Sequence, residues 1–479
     1  MTKMLFLATK VRHDNQRFAV STIFSGEKIM KEQKLNSRRD FLKKSTIIAA
    51  GATLLSSGLT PRVHASENNT INVGLIGCGG RGNGAADQAL STEGPTKLVA
   101  VADAFDFKCS GAVEMLADKH KDKVDVPQER QFVGLDSYKN AIDAVGPGGV
   151  ILLCTPPAFR PLHTAYAVDK GLHIFMEKSF AVDPKGIRSI VASAQKAREK
   201  NLNIVSGLMS RHSVRLEEAV KRIQDGAVGD IVTNWVYRVH GPFGLSPQPA
   251  DRTPLQHQLL NFNCFTWLCS SFILDWMIHN IDVSSWARGE MHPVSVQGMG
   301  GRQVRESQDY MFDHVALEYR YEDGKKMFLQ LRQQENTWGF FGTVVHGTKG
   351  TAVIGEGQDV PRIYNGYNQT RRNLVWEGTM QEVNKYQFEH DRLFKSIRGL
   401  EEYRNEAERG CKAVMTGILG RMAAESGQEI FLKDQIDSDV ELTPGLENLT
   451  IDSDSPSMPD ADGSYTSLIP RPGLSFRKF

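Results

Sequence analysis

The chain is short of cysteine, of net charge and of long apolar runs, and each shortage excludes something. Six cysteines occur among 479 residues, at 78, 109, 154, 264, 269 and 411, with no C-x-x-C and no histidines clustered at zinc spacing. Neither a metal site nor a disulfide framework is expected. Lysine and arginine number 57 against 56 aspartates and glutamates, so no field of one sign recruits nucleic acid or an anionic membrane. Beyond Ala65 no stretch reaches the roughly 18 apolar residues that a membrane span needs. The partner expected from this balance is a neutral small molecule.

Glycine, in contrast, stands where a phosphate needs it. Ile71 to Gly82 reads INVGLIGCGGRG, an apolar β-type run that breaks into Gly77, Gly79 and Gly82 at G-x-G-x-x-G spacing. The first glycine permits the strand-to-helix turn, the second lets the backbone approach a pyrophosphate, and the third lets helix and strand pack closely. Gly80 and Arg81 complete the loop, Asn83 to Leu90 continue it as a helix, and Lys97 to Asp103 (KLVAVAD) forms a second buried strand ending in an acid. Asp103 is placed to accept hydrogen bonds from the adenosine ribose hydroxyls. A carboxylate there repels the extra phosphate of NADP, and Ala104 and Phe105 offer no cation to bind it. The expected cofactor is NAD rather than NADP.

The ends of the chain are of a different character. Ser37 to Lys44 (SRRDFLKK) is a twin-arginine run, followed by the apolar Ile47 to Leu59 and an A-x-A-like exit, Val63-His64-Ala65. Export by the twin-arginine machinery, cleavage after Ala65 and a periplasmic or otherwise exported location are expected. A start at Met30 would place the arginines near the N-terminus. Because that route carries folded proteins, the cofactor is expected to travel inside and to be tightly retained. Asp434 to Phe479, rich in Asp, Ser, Pro and Gly, reads as an irregular tail or surface wrap. Its Pro459, Asp460, Asp462 and Gly463 lack the ligand spacing of a calcium loop.

Between these ends the periodicity changes once. Strands expected at 71–76, 98–102, 149–154, 173–176 and 203–206 alternate with amphipathic helices, the pattern of a doubly wound parallel sheet of Rossmann type. Val150 to Cys154 stops at Thr155-Pro156-Pro157, which sets the site at that strand's carboxyl edge. Beyond Gly207 the period is two, over Ile231 to His240, Val294 to Met299, His314 to Tyr321, Met327 to Gln333 and Phe341 to His346. Turns at Asp323-Gly324 and Gly347 to Gly350 join antiparallel neighbours. Helices Tyr386 to Leu400 and Asn405 to Ser426 are expected to return to the first domain. The fold expected is α/β plus α+β: a 1–65 extension and signal, a 66–206 NAD-binding domain, a 207–433 substrate-binding and oligomerisation domain on a large, mostly antiparallel open sheet, and a 434–479 tail.

Two constellations carry chemistry. Glu177-Lys178 emerges from a strand end, where a lysine can hold a substrate hydroxyl or, when desolvated, move a proton. In Asp275-Trp276-Met277-Ile278-His279 the i to i+4 spacing puts carboxylate and imidazole on one helix face. His279 suits removal of a hydroxyl proton as hydride leaves the same carbon. Asp275 can hold the substrate or orient the ring.

The glycine loop, VAD at Val101 to Asp103, TPP at Thr155 to Pro157, EK at Glu177-Lys178, D-x-x-x-H at Asp275 to His279 and Gly420-Arg421-Met422-Ala423-Ala424 occur in that order. In this the chain resembles the Gfo/Idh/MocA superfamily, named for glucose-fructose oxidoreductase and inositol dehydrogenase. The resemblance implies cofactor contacts at Gly77, Gly79, Gly80, Arg81, Gly82, Asp103, Thr155, Pro156, Pro157, Glu177 and Lys178. It also implies a catalytic group of Lys178, Asp275 and His279, the latter two holding substrate, with Arg211 of GLMSRH resembling an arginine that faces the same cleft. Ser179 stands where proline is usual, which loosens the turn, and Cys269-Ser270-Ser271 stands where some relatives look like S-G-D, which alters the substrate pocket. The implied activity is NAD(P)-dependent oxidation of a sugar, glycoside or cyclitol hydroxyl in a homo-oligomer. The alternative is an NAD-dependent glycosidase working by transient oxidation, elimination and hydration, and a third reading is a non-catalytic sugar-binding relative.

Overall fold

A computed structural model describes residues 69–474 except 243, 247, 248, 250, 356–359 and 379–381. The twin-arginine segment, the Ala65 cleavage site and the choice between Met1 and Met30 lie outside the described residues. The first sheet holds β1 (Ile71–Ile76), β2 (Thr96–Asp103), β3 (Gln131–Val133), β4 (Val150–Leu153), β5 (His173–Met176) and β6 (Ile204–Ser206), ordered β3-β2-β1-β4-β5-β6. Every pairing in it is parallel. The strand order reverses between β1 and β4, and a crevice for a ligand opens there, outside the carboxyl ends of the strands. β1, β2, β4 and β5 read as nearly continuous apolar runs because helices cover both faces. β3, three residues long and part exposed, carries no such run and was not expected.

The second sheet has nine strands: β7 (Ile231–His240), β8 (Ser295–Gly301), β9 (His314–Arg320), β10 (Lys326–Gln333), β11 (Phe340–Gly347), β12 (Gly350–Gly355), β13 (Arg362–Asn365), β14 (Leu374–Glu377) and β15 (Ile430–Phe431). All its neighbours pair antiparallel except β10 on β7. The hairpin between β9 and β10 closes where Gly324 N–H donates to the Tyr321 carbonyl, and the β11–β12 hairpin turns at Thr348-Lys349. The expected fold class is therefore the observed one.

Two late helices bind the sheets to each other. Helix Lys385–Ile397 lays Leu393 and Phe394 against Leu75, Phe175 and Val205 of the first sheet. Helix Ala407–Ser426 is buried on nearly every face, between helix Pro184–Glu199 on one side and β8 on the other. Gly410 and Gly420 allow this, since a Cβ at either would run into the Phe180 ring or the Tyr319 hydroxyl. The stretch after Asp434 wraps the surface: Tyr465 is buried against Phe265, and its hydroxyl accepts from Gln258 at 2.9 Å. Asp460 accepts from Ser464 and Ser467, an Asx-type turn rather than a cation loop. All six cysteines are free thiols, and among the described residues no helix is long and apolar enough to cross a membrane.

Burial holds several imidazoles neutral. His163 stacks on Tyr138 with ring centroids 4.2 Å apart, and burial lowers its pKa to about 3. His390 stacks on Phe175 at 4.1 Å and is likewise pushed well down by desolvation. Unfolding releases such rings to titrate at about pH 6.5, so below that pH the unfolded chain binds protons that the folded one refuses. Each depressed histidine thus costs up to about 1.4 kcal/mol per pH unit on acidification. Glu389, raised by its own burial, opposes one of them by taking a proton in the folded state. Urea midpoints are expected to fall steadily from pH 7 to pH 5; a midpoint flat over that range would contradict the neutral buried rings.

Candidate active site

β1 ends at Gly77, whose φ of +95° and whose missing Cβ, which would lie 2.7 Å from the Cys154 carbonyl carbon, both require glycine. Gly82 is equally constrained, because a side chain there would strike the Gly77 carbonyl. At Gly79 nothing of the protein comes within 4 Å of the Cβ position, and the residue lines an open cleft. Helix Gly80–Leu90 starts there with no side-chain cap and no acid in its first turn, so its N–H groups and its dipole are available to an anion. Asp103 closes the loop from β2: it accepts from Cys78 N–H at 2.8 Å and from Phe105 N–H at 3.1 Å. Burial pushes its carboxyl up, while Lys108 pulls the other way. Ala104 and Phe105 carry no cation, as expected, but Lys108 lines the same cleft and lies 5.4 Å from the Phe105 ring centroid.

Beneath this cleft a continuous polar chain runs from the first domain to the second. Arg81 turns inward and forks between Glu177 at 2.5 Å and Glu389 at 2.9 Å. One guanidinium cannot neutralise two carboxylates in a dry setting, so Glu389, fully buried, is pushed well up by desolvation and by Glu177. The other Glu177 oxygen accepts from Lys178 N–H at 3.1 Å. Lys178 Nζ then donates to Asp275, to its carbonyl and to Oδ1 at 2.9 Å. Ser179, fully buried, donates from Oγ to the Leu274 carbonyl at 2.5 Å, and its own carbonyl accepts from Arg160. The turn after Lys178 is therefore pinned, not loosened, by replacing proline: serine supplies a donor that proline lacks. Arg160 also donates to the Thr155 carbonyl and so ties the TPP loop to this turn.

Asp275 and His279 do not share one α-helical face. Ile273–Met277 is a π-helical turn, and the α-helix begins only at Ile278. Such turns recur at functional sites because the wider winding re-aims side chains. Among the described residues no hydrogen bond joins Asp275 to His279, so Asp275 orients Lys178 instead of the ring. The imidazole is 8% exposed, with Nδ1 buried and unpartnered. Burial first, then Lys178, Lys385 and Arg238, hold its pKa well below the ordinary value. It is neutral at neutral pH. Ser270 keeps the left-handed conformation that a glycine would supply, with φ at +70°.

The structure brings most of the expected residues together. Gly77, Gly79, Asp103, Thr155 and Pro156 line the cleft, Gly80 opens the helix, and Lys178, Asp275 and His279 gather beyond it. Pro157 starts a buried turn. Arg81 and Glu177 are spent on each other, as anchors of the loop and not as open ligands. Arg211 is a correction: its guanidinium, 4% exposed, is held by Asp282 at 2.7 Å and Glu290 at 2.5 Å over Trp286, which leaves nothing for a substrate. Sequence reasoning missed Glu389, Arg160 and Lys108. Only Glu389 carried a signal, as an acid on the same stripe as Leu393 and Phe394, where an amphipathic helix should be apolar.

No family model matches the chain. An inositol 2-dehydrogenase from Ralstonia nicotianae is 24% identical over 249 residues, 51% of this chain and 62% of that enzyme's length. An aldose-aldose oxidoreductase from Caulobacter crescentus superposes with a TM-score of 0.59 at 16% identity, over 76% of this chain and 100% of the other. A levoglucosan dehydrogenase solved with NADH and levoglucosan gives 0.58 at 17%, over 76% and 100%. A scyllo-inositol dehydrogenase from Lactobacillus casei gives 0.55 at 18%, over 76% and 98%. These structures share the two-sheet fold, which is consistent with the Gfo/Idh/MocA architecture.

Because the protein itself leaves the Gly79 position open, Gly79→Val is expected to keep its thermal midpoint while weakening dinucleotide binding at least tenfold, about 1.4 kcal/mol. Gly82→Ala, with no room for its methyl, is expected to lower the midpoint instead. Calorimetric titration with NAD, run beside thermal unfolding, checks both; undiminished affinity in Gly79→Val would remove the loop from dinucleotide binding.

Proposed function

We propose that this protein is a nicotinamide-dependent oxidoreductase acting on a hydroxyl of a sugar or cyclitol, with NAD as its cofactor. The observation that carries the reading is His279, held neutral by burial beside the Lys178–Asp275 pair, which follows the carboxyl end of a strand in the sheet whose glycine loop opens onto a cleft. The donor set fits such a cofactor: uncapped helix N–H groups for a pyrophosphate and the Asp103 carboxylate for ribose hydroxyls. When bound, the nicotinamide supplies a hydride acceptor. The names of the structural neighbours support the same class of substrate.

The chain's own residues do the rest. Lys178, kept in place by Asp275, presents an ammonium that holds the reacting hydroxyl by hydrogen bonding to its oxygen. His279 takes the hydroxyl proton at Nε2, since Nδ1 is enclosed. As the proton leaves the oxygen and hydride leaves the adjoining carbon, a carbonyl remains and atoms balance. The nearby cations that depress the ring also stabilise the alkoxide character that develops on the oxygen.

Further properties belong to the same proposal. Asp103 favours NAD over NADP, although Lys108 stands near enough to moderate that preference. The twin-arginine segment supports export with the cofactor retained inside. A row of aromatic residues on the face of the second sheet away from the helices, Trp235, Tyr237, Phe328 and Phe340, supports self-association into a homo-oligomer.

His279→Ala is expected to lower kcat by about 10²- to 10⁴-fold, the range for loss of a general base, with NAD affinity changed less than threefold. Stopped turnover assays with mass analysis of products check this. A keto product supports the reading, and a released aglycone with the sugar unoxidised would replace it with redox-neutral glycoside cleavage. Unchanged turnover in the variant would remove His279 from the reaction.

A further inference from the structure

The cleft at the glycine loop is not walled by the first domain alone. Leu259, in helix Pro254–Leu260, and Phe262, in the turn after it, line it together with Gly79, Asp103 and Thr155. A dinucleotide lying on the glycine loop thus has part of the second domain as a further wall. What holds that wall in place is the stretch after Asp434. Gln258, next to Leu259 and fully buried, uses every hydrogen-bonding position of its amide. Its Oε1 accepts from Trp267 Nε1 at 2.6 Å and from Ser455 Oγ at 2.5 Å, while its Nε2 donates to the Ser457 carbonyl at 2.6 Å and to the Tyr465 hydroxyl at 2.9 Å. Apart from Trp267, these partners all belong to the C-terminal stretch.

Apolar packing runs the same way. One cluster holds Phe159 of the first domain, Leu259 of the second and Tyr465, and Leu446, Leu449 and Ile469 pack on it. Burial first, then the charges of Tyr166, Asp136 and Glu447, push up the hydroxyl of Tyr138, another residue of the cleft wall, so Glu447 stands within electrostatic reach of the cleft. The stretch is tied down at both ends. Leu442 N–H donates to Asp183 at 2.8 Å and Glu441 pairs with Lys185 at 2.6 Å, both on the first domain, and Gly473 N–H donates to the Ser426 carbonyl at 3.1 Å. Between these ties its helical structure is limited to the short turns Leu446–Asn448 and Thr466–Leu468. Ordering irregular backbone costs roughly 1–2 kcal/mol per residue, and structureless stretches longer than about 12–15 residues are uncommon in compact domains unless they serve as lids or binding loops.

Resting on the dinucleotide-binding part of the reading above, we infer that helix Pro254–Leu260 and Phe262 form a roof over the bound dinucleotide, and that residues 438–473 are the strap that keeps this roof shut. Gln258 is the positioning residue that joins roof to strap. The roof must lift to let the dinucleotide in as well as out, so the strap sets the rate of exchange and leaves the affinity nearly unchanged.

Stopped-flow fluorescence tests this by following NADH as it enters the protein and as it leaves when chased with excess NAD. Gln258→Leu, which forfeits all of these bonds, is expected to speed release at least tenfold and entry in the same proportion, with Kd shifted less than threefold. Tyr465→Phe, which keeps the ring and loses one acceptor, is expected to speed both at least twofold at an unchanged thermal midpoint, and it carries the test should Gln258→Leu fold poorly. A residue that merely touches the cofactor would alter release and leave entry alone, as Asp103→Ala is expected to do. Release at the wild-type rate in a folded variant, or faster release with unaltered entry, would overturn the strap while the dinucleotide reading stands. Wild-type protein that takes up no NADH would sink that reading and the strap with it.

Discussion

One half-buried guanidinium organises this site. Arg81 belongs to the glycine loop, Glu177 to the end of β5 and Glu389 to the helix that returns after the second sheet, and the three meet in a fork of 2.5 Å and 2.9 Å. Removing Arg81 would leave the buried Glu177 and Glu389 side by side without their shared cation. The fork matters less for stability than for position. Glu177 is bonded to Lys178 N–H, Lys178 to Asp275, and Asp275 sits one π-helical turn before His279. One hydrogen-bonded chain therefore ties the glycine loop to Asp275, on the turn that leads into the helix carrying the imidazole.

Much of this was legible in the order of residues, for physical reasons that differ from place to place. Gly77 and Gly82 were readable because the protein itself forbids a side chain there, and Gly79 because it does not. The strands of the first sheet were readable because burial on both faces demands unbroken apolar runs, whereas β3, short and part exposed, leaves no such trace. The partnering of charges was not readable. Arg81 and Arg211 look alike as basic residues next to motifs, yet one anchors the site and the other is consumed by Asp282 and Glu290. Only the fold decides which carboxylate a long side chain meets.

The D-x-x-x-H spacing shows the same limit at shorter range. Four residues imply a shared face only if the winding is α-helical, and the wider turn at Ile273–Met277 separates the two roles. Asp275 serves the lysine, while the ring of His279 is left neutral by desolvation and by cations around it. Charge composition is silent on local fields: 57 basic against 56 acidic residues average to nothing, while Lys178, Lys385 and Arg238 all act on the His279 ring.

The central claim is that a hydroxyl-bearing carbon gives up hydride between Lys178 and the glycine loop. It is tested most directly by supplying NAD and a hexose or cyclitol deuterated at its carbinol carbons, and weighing the nicotinamide recovered. The account predicts deuterium on the nicotinamide ring, together with a carbonyl on the sugar, and loss of both in His279→Ala. A ring that stays unlabelled with every one of these compounds, from protein shown to bind the dinucleotide, would contradict it.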